Sequence, residues 1–116
     1  MALKSVNPLL KQEQRGVGTG VSNGIKIDAL VPEHSQVYVD IIDKGVGGVL
    51  DVKLEDSWVD VPNKYTPTGD EALGLNANGI TRIPPDTVRG KYFRISYEVK
   101  TNAITFAVYL VKKERS

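Results

Sequence analysis

The sequence predicts an all-β protein folded as a single domain behind an extended N-terminal arm, and three stretches carry that reading. In VLDVKLEDSWVDVP, residues 49–62, Leu50, Val52 and Leu54 alternate with Asp51, Lys53 and Glu55. In KYFRISYEV, Phe93, Ile95, Tyr97 and Val99 alternate with Tyr92, Arg94, Ser96 and Glu98, and ITFAVYLV near the C-terminus has the same character. Successive side chains of a strand point to opposite faces, so a period of two marks half-buried sheet rather than helix. A chain of 116 residues holds one core and not two.

Residues 1–20 are the least sheet-like part. Pro8 interrupts them, residues 11–15 are polar, and Gly16, Gly18 and Gly20 leave no sustained period. A helical turn over residues 8–14, capped by Asn7, is one reading, and an extended arm is the one favoured. Val6, Leu9 and Leu10 are too apolar to rest in water, which points to packing on a partner. The globular part is expected over residues 21–116. Ile25, Ile27 and Ala29 open its first strand, which stops at Val31-Pro32, where a residue without a backbone donor suits a strand end.

Glu33 to Ser35 reads as a turn. Residues 36–43 follow as a strand apolar on both faces, as for a central strand, and Lys44-Gly45-Val46-Gly47-Gly48 turns into the alternating strand at Val49. Residues 63–79 show no period of two, so a long loop is expected there, with a short helix over 70–75 as an alternative. Long unstructured connections in compact domains are often functional, which makes this segment the first candidate for a contact surface. Residues 80–83 form a short strand stopped by Pro84-Pro85-Asp86. Residues 91–99 and 103–111 then form a pair whose short connection fits a β-hairpin. Six to eight short strands in this order mean a sandwich, jelly roll or barrel.

The totals limit the chemistry. Hydrophobic residues at 41% and charged residues at 25% are ordinary for a globular domain, and a formal charge of +1 supplies no field to attract nucleic acid or an anionic membrane. There is no cysteine, which removes disulfides, thiolate metal sites and a thiol nucleophile. The N-terminus lacks the apolar run of a secretory signal and no stretch has membrane-spanning length, so the chain is read as made in a cytoplasm.

His34, the single histidine, sits in a turn with no identifiable nucleophile, so an exposed turn residue is expected rather than a catalytic relay. Asp51, Glu55, Asp56 and Asp60 lack the ligand ladder of a calcium loop and read as a wet sheet face. GVGTG and KGVGG lack the lysine and hydroxyl residue of a phosphate loop. Trp58 is expected to close one end of the core, the alternative being an exposed platform for a sugar ring or a partner protein. No catalytic residue, metal or cofactor is expected.

A glycine-rich turn, the strand VLDVKLEDS, a tryptophan followed by Val59-Asp60-Val61-Pro62, a variable loop, the basic and aromatic strand GKYFRISYEV and a final apolar strand together resemble small β-sandwich proteins from the structural modules of tailed bacteriophages. Among these the pattern, spanning residues 37–112, is most similar to capsid decoration, or cement, proteins. VDIID followed by glycines fits, whereas LEDS lacks the longer turn that often precedes the tryptophan, so a shorter local hairpin is expected. The resemblance implies a jelly-roll-like β-sandwich on the outside of a phage head, made in the host cytoplasm. Its implied partner is the major capsid protein, and it would act as a dimer or trimer without direct contact to nucleic acid or membrane. Val6, Leu9, Leu10 and Arg15 of the arm, Tyr65, Leu73 and Leu75 of the 63–79 segment, and Arg89 are the expected contact residues. A head-tail joining or tail component is the nearest alternative, and a carbohydrate-binding module stacking sugars on Trp58, Tyr65 and Tyr92 is another.

Overall fold

A computed structural model describes residues 3–26 and 35–114, with side chains over 6–26 and 35–111. His34, and the turn and strand residues expected between 27 and 34, lie outside the described residues. Strands β1 (Leu3–Arg15), β2 (Gly18–Val21), β3 (Ile25–Lys26), β4 (Ser35–Asp43), β5 (Val49–Ser57), β6 (Thr66–Leu75), β7 (Gly79–Ile83), β8 (Tyr92–Lys100) and β9 (Ile104–Glu114) form two antiparallel sheets. One sheet has the order β1-β9-β4-β7 and the other β2-β8-β5-β6, with β3 also on β8. If β2 and β3 are taken as one interrupted strand, this is the strand order of a jelly roll, a sandwich of two four-stranded sheets.

The alternating residues meet between the sheets. Val37, Val39 and Ile41 of β4, Ile83 of β7, and Ile104, Phe106, Val108 and Leu110 of β9 face Leu50, Val52 and Leu54 of β5 and Phe93, Ile95 and Val99 of β8. Phe93 and Phe106 are fully buried, and the burial of each such side chain stabilises the fold by roughly 2–3 kcal/mol.

Four segments differ from the sequence reading. Residues 3–20 are extended, as expected, but do not stand away from the body and form no helical turn. β1 pairs with β9 through two register shifts, leaving Leu9 and Leu10 packed against the core. The 63–79 segment is no long loop and has no helix at 70–75. After a 3-10 turn at Pro62–Lys64 it forms the ten-residue strand β6.

Thr68 and Asp70 hold half-buried positions that usually carry apolar residues, and the bulges in the β5–β6 register interrupt the period. β8 and β9 are not a hairpin: they lie in opposite sheets. Their apolar faces oppose each other across the core. Thr101, at φ 74°, turns the chain from one sheet to the other, and Asn102 fastens the turn by donating from Nδ2 to Val46 O at 3.2 Å. The charged residues 112–114, beyond the strand expected over 103–111, continue β9.

Asp51, on the outer face of β5, ties three elements together. Its carboxylate meets Lys100 Nζ at 2.8 Å and accepts the Gly74 N–H at 2.8 Å from a bulge of β6. Burial alone would push its carboxyl up. The hydrogen bonds from Lys100 and Gly74, with the charges of Lys100 and Lys53, outweigh that and hold it below the ordinary value. A depressed carboxylate adds stability above its unfolded pKa that is lost as pH falls through the folded value. Denaturant unfolding of Asp51→Asn is therefore expected to show lower stability than the parent at pH 6, with the gap closing as pH falls below about 4. A gap that persisted unchanged at pH 2 would assign the loss to packing instead.

Candidate functional site

One end of the sandwich carries the 58–65 connection between β5 and β6, the 84–91 connection between β7 and β8, and residues 22–24. Trp58 projects from it. It does not close the core, as the sequence reading had it: its surface is 71% exposed, and Val61 beside it is 43% exposed. The alternation of β5 is lost after Leu54, with Glu55 and Asp56 both half-buried and Ser57 buried, and Trp58 follows beyond the end of the strand.

The connection that carries Trp58 is fixed by short-range bonds. Ser57 Oγ donates to Val59 O at 2.6 Å and accepts the Val59 N–H at 3.2 Å. Val61 N–H donates to Val59 O and Lys64 N–H to Val61 O, both at 2.9 Å. Tyr65 Oη donates to Asp60 Oδ1 at 2.7 Å, and the Arg94 guanidinium lies 4.2 Å from the centre of the Tyr65 ring. Arg94 in turn donates from Nε to Glu55 at 2.8 Å. Gly24 closes over this group so tightly that a Cβ there would strike Tyr65 Oη and the Asp60 carboxylate. Glu55, Arg94, Tyr65 and Asp60 thus form a continuous chain from the outer face of one sheet to the base of the Trp58 loop.

Burial, the hydrogen bond to Asp60 and the nearby carboxylate charge push the Tyr65 hydroxyl up to about 12, so it remains a donor through the neutral and mildly alkaline range. Of the five tyrosines, Tyr65 is expected to ionise late. Absorbance titration at 295 nm should show a step near pH 12 that vanishes in Tyr65→Phe. A Phe variant that keeps the late step would break the assignment.

The four acidic residues expected on a wet face are instead structural acceptors. Asp56 receives the N–H groups of Arg89 at 2.7 Å and Gly90 at 2.8 Å, while Asp70 receives Thr87 N–H at 2.8 Å. The 84–91 connection is pinned beside the Trp58 loop by these bonds. Among the described residues no group of three or more histidine, aspartate or glutamate side chains is placed to hold a metal ion.

The expected contact residues do not form one patch. Val6 is 58% and Leu73 52% exposed. Leu9, Leu10 and Leu75 pack partly against the core. Arg15 donates to Phe106 O at 2.8 Å and lies 4.7 Å from the Phe106 ring centre, where it seals the core edge. Tyr65 is buried in the network above. Arg89 is exposed, with its guanidinium turned back onto Asp86 O and Val88 O. Trp58 was missing from that set because an isolated tryptophan after a strand looks like a core plug; the Ser57-Trp58-Val59-Asp60-Val61-Pro62 run, with its turn formers, was the available signal. No protein-family model matches the chain, and no curated protein matches it in sequence.

Proposed function

We propose that this chain is a virion structural protein that binds the outside of an assembled phage capsid and steadies contacts between major capsid subunits, docking by the Trp58 end. The observation that supports this reading is the 71% exposure of Trp58 on a loop whose backbone and base are already fixed. A tryptophan left in water has a large apolar area to gain on docking, and tryptophan is enriched among the residues that dominate interface energies. A loop held before contact loses little conformational entropy on binding, so more of the contact energy appears as affinity. Many copies on one shell would add modest interfaces into large total stabilisation. The resemblance in residue pattern to decoration proteins supplies the partner class.

The carbohydrate reading retains Trp58 but loses Tyr65, whose ring is buried and covered by Arg94. Two stacking faces, Trp58 and the half-buried Tyr92, are a weaker platform than three.

Co-sedimentation of the full chain with mature, intact phage heads that lack it tests the proposal. Saturable binding at a fixed ratio to capsid subunits is the expected result; no binding overturns it. Deleting residues 1–20 is not a useful control, because it removes β1 and most of β2 and bares the edge of β9.

A further inference from the structure

Among the described residues no further strand or helix covers the outer face of the β1-β9-β4-β7 sheet, although that face carries aromatic and aliphatic side chains and fully buries Ala107. Alternation that sends Val37, Val39 and Ile41 inward sends Gln36, Tyr38, Asp40 and Ile42 outward. Register then sets the rows. Val6 lies beside Val111, and Pro8 beside Tyr109, which pairs with Tyr38 and through it with Arg82. Ala107 pairs with Asp40, and Asp40 with Ile80. Ile80 is 62% exposed and Ile42 40%.

Two charges with described side chains stand among these rows. The Arg82 guanidinium lies over the Tyr38 ring at 5.3 Å, and the Asp40 carboxylate makes no hydrogen bond or ion pair among the described residues. We propose that this face is the docking surface for a second copy of the chain, the two sheets stacked face to face about a two-fold axis. The axis that exchanges Asp40 and Arg82 brings each carboxylate to the partner copy's guanidinium, giving two identical ion pairs around a tyrosine and aliphatic centre.

An isologous contact requires such a self-complementary patch. Four strands about 4.8 Å apart and nine residues at about 3.3 Å each give a face of roughly 550 Å² in projection. With side-chain relief this approaches the roughly 800 Å² that each partner gives to a stable interface. Trp58 stands at the end of the other sheet, so the stacking leaves it free. The inference is independent of capsid binding and is read in free solution.

Sedimentation equilibrium of the full chain over micromolar concentrations is expected to give a dimer. Asp40→Arg and Arg82→Asp should each weaken it at least tenfold, and the double exchange should restore it, with thermal melts confirming that each variant folds. A monomer throughout, a trimer, or a dimer indifferent to both single changes overturns the proposal. Because the chain has no cysteine, a spin label at Val46→Cys, in the exposed turn between β4 and β5 and outside the docking face, gives a second reading with that face unaltered. An intermolecular distance that disappears on dilution with unlabelled protein is expected, and its absence overturns the arrangement.

Discussion

Trp58→Ala is expected to weaken capsid docking by about 2 kcal/mol, roughly 30-fold in dissociation constant, while moving the melting temperature by less than about 3 °C. The two halves of that expectation have different causes. Trp58 keeps 71% of its surface in water, so truncation removes little that the folded chain has buried. On a docked partner the same ring would become dry, and its loss is then felt in full. Sedimentation with intact heads measures the first half, and a thermal melt the second. Unchanged binding by a folded Trp58→Ala protein would move the docking surface away from this loop. A large fall in melting temperature would instead make Trp58 a structural residue despite its exposure. Titration with free sugars separates the partner classes: fluorescence quenching that saturates with sugar but not with heads would favour the carbohydrate reading.

Much of the fold is legible in the residues because the core strands are apolar at every second position. β4, β5, β8 and β9 contribute most of the buried apolar side chains, and each shows the pattern in its letters. β6 does not, because Thr68 and Asp70 take its half-buried positions. Thr87, a residue distant in sequence, donates its N–H to the Asp70 carboxylate and its hydroxyl to the Thr68 carbonyl, which no local pattern reveals.

The same limit explains the β8–β9 connection. A short polar turn between two strands is compatible with a hairpin or with a crossing between sheets, and the choice rests on where β4 and β5 pair. The Trp58 loop shows a further limit. Its turn-forming residues are visible, but the support of Tyr65 by Arg94 and Glu55 comes from strand register between β5 and β8. Tyr65 therefore looked like a contact residue when it is a support of the Trp58 loop.

That prop carries the largest expected stability effect. Glu55 and Arg94 retain only 14% and 12% of their side-chain exposure, and Arg94 spends its guanidinium face on Tyr65. Removing one member leaves the other charged and nearly dry, and breaking such pairs typically costs about 3–5 kcal/mol. Arg94→Ala is expected near the lower end, about 3 kcal/mol, since some water still reaches both groups, and it also forfeits the contact with the Tyr65 ring. Glu55→Ala should cost somewhat less, because Arg94 keeps its aromatic partner. The double variant should cost clearly less than the sum of the two, with a coupling of about 1–3 kcal/mol, because after the first loss the second removes an unpaired charge. Denaturant unfolding of all four proteins measures this. Strictly additive costs would show that the pair is a geometric coincidence. With coupling present, Arg94→Ala should also raise the mobility of Trp58 in fluorescence anisotropy, since Tyr65 and Asp60 transmit the support from β8 to the loop. Docking should then weaken in Arg94→Ala with Trp58 itself intact, which separates the supply of the aromatic ring from the rigidity with which it is presented.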